Sequence, residues 1–147
     1  CTDTIELIAP LFRDIGYIRI HGDCHRGNIL DRLAEGLLII DFDDMMTGPA
    51  VQDLWLLLPG HLSECTVETD LLLYGYTQFM GFETSELILV EPLRFMRIIY
   101  FLTWCASQKD DPGFFTHFPA WGEEGFWIKE IEDIAYQQQI IREHLPA

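Results

Sequence analysis

Positive charge is what this chain has least of. Its 147 residues carry 9 Lys and Arg against 24 Asp and Glu, a formal net charge of −15. So few cations argue against a nucleic-acid backbone as the partner, because neutralising phosphates takes Lys and Arg. The same acidity disfavours docking on an anionic membrane surface. No apolar run approaches the roughly 20 residues that span a bilayer, and no targeting segment is visible. The greasiest stretch, Ile88 to Trp104, is interrupted by Glu91, Pro92, Arg94 and Arg97 and reads as a buried helix. Cysteine is sparse as well: Cys1, Cys24, Cys65 and Cys105 are far apart and form no C-x-x-C pair. That pattern argues against a disulfide framework or a zinc ribbon and suggests reduced thiols in a cytosolic protein. Internal repeats and low-complexity tracts are missing too.

What is present suffices for a core. At 49% hydrophobic the chain is most simply one domain. Cys1 in place of Met points to a piece excised from a longer protein. The spacing predicts a helix over Thr4 to Ile15, capped by Thr2, Asp3 or Thr4, with Ile5, Ile8, Ala9, Phe12 and Ile15 on one face and a kink or break at Pro10. Tyr17 to Ile20 reads as a strand. Ile29-Leu30 and Leu37 to Ile40 read as two more, joined by the polar turn Asp31–Gly36. Thr47-Gly48-Pro49 is a stop, followed by helices over Ala50 to Leu58, Thr66 to Met80 and Ser85 to Cys105, the last kinked or broken at Pro92. Asp110 to Glu124 is a loop. A final helix over Gly125 to His144 is expected to bury Trp127, Ile128, Ile131, Ile134, Ala135 and Ile141. The fold class is therefore mostly α with a small β insert.

That insert holds the chemistry. His21-Gly22-Asp23-Cys24-His25-Arg26-Gly27-Asn28 follows the first strand, and Ile40-Asp41-Phe42-Asp43-Asp44 follows the third. An Asp and an Asn five residues apart on one loop, with an Asp at the end of a later apolar run, is how kinase-type phosphoryl-transfer sites are assembled. Asp23 would accept or orient the proton of an incoming hydroxyl, while Asn28 and Asp41 hold Mg²⁺ against nucleotide phosphates. The competing explanation for Asp23 and Asn28 is turn formation. A carboxylate ending a buried strand, as Asp41 does, needs a partner or a metal.

The neighbours read less sharply. Asp43 stands where the kinase motif Asp-Phe-Gly has glycine, and either supplies a second carboxylate to the metal or caps nearby backbone; Asp44 reads as structural. His-x-Asp-x-His at 21–25 invites a zinc reading, but Gly22 and Gly27 predict a tight turn and no further ligand pair completes the set. His21 is therefore expected to bond and shape the loop backbone. Cys24, beside Asp23, is expected to be a small loop residue and not a nucleophile. Asp53 is the one charge on an apolar helix. It either complements the helix dipole or reaches back to accept hydrogen bonds from the Asp23 loop.

His21-Gly22-Asp23-x-His25-x-Gly27-Asn28 with Ile40-Asp41-Phe42 resembles the signature of the aminoglycoside phosphotransferases and choline kinases, which share the protein kinase-like fold. More narrowly, Arg19 to His25, Asp43-Asp44, Gly48 to Trp55 and Glu91-Pro92-Leu93-Arg94 are similar to the bacterial stress response kinase A group, and the resemblance covers essentially the whole chain. It implies a cytoplasmic ATP- and Mg²⁺-dependent phosphotransferase acting on protein Ser/Thr, with Asp23 as proton acceptor and Asn28 and Asp41 as magnesium ligands. A small-molecule hydroxyl of the aminoglycoside or choline type is the alternative acceptor. It also implies that residues 1–147 are a C-terminal catalytic lobe, since none of the 9 Lys and Arg sits in the β-rich nucleotide-binding lobe that carries a phosphate-covering loop and a Lys–Glu pair. Such a lobe alone is expected to bind nucleotide weakly and to turn over negligibly. The turn Asp31–Gly36 is longer than expected for this group.

Two rivals come from other classes. Ile39-Ile40-Asp41-Phe42-Asp43 fits the strand-then-D-x-D pattern of aspartyl-phosphate hydrolases, with Asp41 as nucleophile. That class expects a parallel sheet and a downstream Lys, and Lys109 is poorly placed. A non-catalytic, pseudokinase-like binding module would be favoured by replacement of Asp23 or Asp41, and both are present.

Overall fold

The computed structural model describes residues 1–145, which fall into two compact units, residues 1–90 and residues 91–145. The first unit opens with α1 (Thr2–Ile8), which passes at Ala9–Phe12 into a 3-10 turn. Pro10 enforces the change, because a proline inside an α-helix removes a hydrogen bond and collides with the preceding turn. The helix begins two residues earlier than its sequence pattern, with Cys1 at the cap position and no side-chain cap. Its buried positions are Thr4 and Ile8, whereas Ile5 is exposed.

Two small antiparallel ribbons follow. β1 (Ile18–Ile20) pairs with β4 (Met46–Gly48) in the register Ile18 to Gly48 and Ile20 to Met46. β2 (Ile29–Asp31) pairs with β3 (Leu37–Ile39), Ile29 facing Ile39. The long turn between β2 and β3 is absorbed outside the ladder. Residues Leu33–Glu35 form a 3-10 turn, Asp31 Oδ1 accepts from Leu33 N at 2.8 Å, and Arg32 pairs with Glu35 at 3.1 Å. β4 corrects the reading of Thr47-Gly48-Pro49 as a mere stop. Gly48 is a strand residue because it must let Ile20 through: a Cβ there would lie 2.5 Å from Ile20 Cδ1.

The rest is helical. α2 (Val51–Trp55) is shorter than its apolar run, and the backbone amide of Val51 at its start donates to the buried Glu86 carboxylate at 3.1 Å. α3 (Thr66–Tyr76) ends four residues before its expected limit, and Thr84–Leu89 is a 3-10 segment instead of the start of the next helix. Buried Ile8, Ile20, Val51, Trp55, Cys65, Leu89 and Val90 form the core of this unit.

α4 (Val90–Gln108) runs unbroken. Pro92 sits in its first turn, where its missing N–H is not needed, so the expected kink does not occur. Within the second unit the segment expected to be all loop contains α5 (Phe114–His117), whose Phe114 is buried against Phe118 and Trp121 at ring-centre distances of 5.0 and 5.7 Å. The last helix, α6 (Glu124–His144), matches its expected span, but not its expected face. Of the six apolar residues assigned to its buried side only Ile141 is buried; Trp127, Ile128 and Ile131 are exposed. The helix buries Gln137 and Ile140 instead. The Gln137 amide donates to the Glu91 carbonyl at 3.1 Å and to the Glu91 carboxylate at 2.8 Å, and Arg94 lies 3.3 Å from the same carboxylate. A buried carboxylate so partnered is tolerated where an unpaired one is not.

Candidate active site

β1 delivers the loop 21–28 and β3 delivers Asp41, so the two ribbons bring the candidate residues to one place. Asp23 and Asn28 are joined directly: Asn28 Nδ2 donates to the Asp23 carbonyl at 3.0 Å and lies 3.5 Å from Asp23 Oδ2. Asn28 is buried, at 8% exposure. Its Oδ1 makes no bond among the described residues and remains an acceptor. Asp41 joins them through the backbone, since the amide of Ile40 donates to the carbonyl of Asn28 at 3.0 Å. Asp41 itself has φ of 65°, a left-handed conformation that Asp tolerates better than most residues, and it is exposed. Its carboxylate has no partner among the described residues. A neutral amide oxygen and a carboxylate, both without protein partners, are the donor set a hard divalent cation takes.

His21 ties the two segments together. Its Nε2 lies 2.8 Å from the Ile40 carbonyl and its Nδ1 accepts from Asp23 N at 3.3 Å, which fixes the proton on Nε2. The ring also meets Phe42 at a centroid distance of 4.8 Å. In His25 likewise Nδ1 accepts a backbone amide, that of Gly27 at 2.9 Å. Each imidazole thus gives its Nδ1 to the loop backbone, and among the described residues no group of three or more His, Cys, Asp and Glu is arranged to hold a metal.

Asp53, on α2, reaches back to the loop. Its Oδ2 accepts from His21 N at 2.7 Å and its Oδ1 from Gly22 N at 2.9 Å. Charge-assisted bonds of this kind are the strong ones. Gln52 adds a third tie, donating from Nε2 to the Gly22 carbonyl at 3.0 Å, and is itself held by Trp55 Nε1 at 3.1 Å. Arg26 reaches the Leu57 carbonyl at 3.0 Å. Sequence reasoning missed the parts of Gln52 and Arg26; the only signal for Gln52 was its place beside Asp53 on an apolar helix. Gly22 is required in this arrangement: its φ is 90°, and a Cβ would lie 2.3 Å from the Asp44 carbonyl oxygen. Asp43 is exposed and caps no backbone amide among the described residues.

Cys24 is buried within the loop. Burial pushes its thiol up from the ordinary value, and the charges of Asp53 and Asp23 push the same way. A thiol so placed stays protonated, which disfavours nucleophilic chemistry there.

A mostly helical chain whose short antiparallel ribbons present an Asp–Asn loop beside a following Asp has the architecture of kinase-like phosphotransferases. A model of the phosphotransferase enzyme family matches residues 7–87, and the chain belongs to that family. It is 40% identical over 144 residues to the stress response kinase A of Escherichia coli (strain K12), covering 95% of this chain and 43% of that relative. To the protein of the same name from Shigella flexneri it is 38% identical, with 95% and 43% covered. To the serine/threonine protein kinase RdoA of Salmonella typhimurium it is 40% identical, with 97% and 43% covered. The chain thus spans a little under half the length of these relatives. No helix among the described residues is long and apolar enough to cross a membrane.

Proposed function

We propose that this chain is the C-terminal catalytic lobe of an ATP- and Mg²⁺-dependent cytoplasmic kinase that moves the γ-phosphate onto a protein Ser/Thr hydroxyl. Family membership supports the reaction class. The choice of a protein acceptor over a small-molecule alcohol is favoured by the name of the Salmonella relative, a serine/threonine protein kinase. The nucleotide-binding lobe with its Lys–Glu pair lies outside residues 1–147 in this reading. The observation that carries it is the direct Asp23–Asn28 bonding, with Ile40 bonded to Asn28 so that Asp41 follows alongside.

In the reaction the acceptor hydroxyl gives its proton to the Asp23 carboxylate as its oxygen bonds to the γ-phosphorus, and the bond to the β-phosphate oxygen breaks to release ADP. Asn28 Oδ1 and the Asp41 carboxylate would hold Mg²⁺, which when bound neutralises charge on the nucleotide phosphates. His21, with Nε2 on the Ile40 carbonyl and Nδ1 on the Asp23 amide, keeps the proton-accepting and metal-holding residues in one frame. Asp53 and Gln52 hold that frame from α2.

The reading is tested on the complete gene product with γ-labelled ATP, following label transfer, ADP release and any labelled phosphate retained on the protein. Asp41→Asn is expected to raise the Mg²⁺ concentration for half-maximal rate by roughly tenfold or more, with no phosphoenzyme in the unsubstituted protein. A labelled aspartyl phosphate that disappears with Asp41→Asn would instead establish the hydrolase mechanism. Absence of MgATP turnover in the unsubstituted protein would establish a binding module.

A further inference from the structure

We propose that His25 is a positioning residue for the Asp23 carboxylate, a role that rests on the reading of Asp23 as proton acceptor. His25 Nε2 lies 3.4 Å from Asp23 Oδ2. Its other ring nitrogen accepts from Gly27 N at 2.9 Å, which leaves Nε2, the nitrogen nearer Asp23, as the one able to donate.

Three further features hold the ring in place. The amide of His25 donates to the Asp23 carbonyl at 2.8 Å, a tight turn that folds residue 25 back over residue 23. The ring also packs close against Gly27: a Cβ at that position would be 2.7 Å from His25 Cε1, so glycine there is what gives the imidazole room. Finally, the His25 carbonyl accepts from Asn28 N at 2.9 Å, which ties the ring's backbone to the residue that itself bonds Asp23. Near Asp23 Oδ2 thus lie His25 Nε2 at 3.4 Å and Asn28 Nδ2 at 3.5 Å. Together they set the rotation of the carboxylate about its Cβ–Cγ bond, and with it the direction from which a hydroxyl proton is accepted. Contacts of this length in a site without substrate commonly tighten when the reacting groups are bound.

The bland alternative is that His25 merely caps the 3-10 turn Arg26–Asn28 through Nδ1. Two substitutions separate the roles. His25→Asn keeps an acceptor for the Gly27 amide, since an Asn side chain bonds the backbone two residues on, but has no donor that reaches Asp23. His25→Gln restores a donor at the reach of Nε2 and gives up that short turn bond. With MgATP as the probe and the complete gene product as the enzyme, His25→Asn is expected to lower kcat by about tenfold with KM for ATP unchanged, because misplaced reacting groups slow the chemical step and not binding. His25→Gln is expected to recover most of that loss. Thermal unfolding of each variant, and Asp23→Ala as a control, accompany the rates.

A His25→Asn enzyme at the unsubstituted rate overturns the proposal, as does a His25→Gln enzyme slower than His25→Asn, which is the pattern of a turn cap. Equal losses in both variants overturn it too, whether or not the melting temperature falls, since the Nε2 donor then contributes nothing separable. If Asp23→Ala itself retains full turnover, the fault lies with Asp23 as proton acceptor and not with His25 alone.

Discussion

Asp23→Ala should lower phosphate transfer from MgATP by about 10³-fold, within the 10²–10⁴ range that positioned general bases contribute. Asp23→Asn should do nearly as much, because an amide cannot take the hydroxyl proton. The fold should survive both changes. The structural bond at this position runs from Asn28 to the Asp23 carbonyl, and the turn back to His25 uses the same carbonyl, so the backbone keeps its partners when the carboxylate is removed. Unchanged thermal unfolding together with collapsed turnover is the expected signature. A variant that retained more than about a tenth of the rate, on the same scale of general-base effects, would remove Asp23 from the chemistry.

Asp53→Ala should act in the opposite order, damaging stability first and activity through it. Two backbone amides, those of His21 and Gly22, lose a charged acceptor at once. Each hydrogen bond to a charged group is worth about 1.5–3 kcal/mol when its partner is left unsatisfied. Asp53 is only partly buried, so water recovers some of this, and a net loss of about 2–4 kcal/mol is expected. For a chain of this size that lowers the melting temperature by roughly 5–15 °C. The loop also carries Asp23, so turnover should fall by about 10²-fold, the scale on which a displacement of around an ångström acts. Asp53→Asn keeps one acceptor oxygen but turns an amide N–H toward the second donor, and should fall between. Calorimetry and MgATP turnover on the same samples check both parts. An Asp53→Ala protein that melts like the unsubstituted one would mean that the carboxylate serves the dipole of α2 and not the loop.

The parts of the fold that the sequence announced were those governed by local rules. The polar interval Asp31–Gly36 between two apolar runs yields a hairpin because both flanks need to pair and the polar residues between them do not. Asp53 was readable because a lone charge on an apolar segment needs a partner, and it found two. What was hidden depended on residues distant in the chain. Met46–Gly48 has no strand pattern of its own, and becomes β4 only because β1 offers it a ladder and Ile20 fills the space over Gly48. The same is true of Gln137. Nothing local marks it as buried, yet the Glu91 carboxylate and carbonyl take up its donors while the more apolar Trp127 and Ile131 stay exposed. At the site, the bonds of His21 to both neighbouring segments could not be read from spacing, because the carbonyl of Ile40 is brought to it by the β2–β3 pairing.

The β1–β4 ladder has a kinetic consequence. Ile40 is fastened to Asn28 and His21, and Met46 is paired with Ile20, so Asp41 to Met45 is a short arc anchored at both ends. A tether of that length has little freedom to swing outward and back. Within this lobe, moving Asp41 is therefore expected to take the turning of a side chain or the breaking of these anchoring bonds.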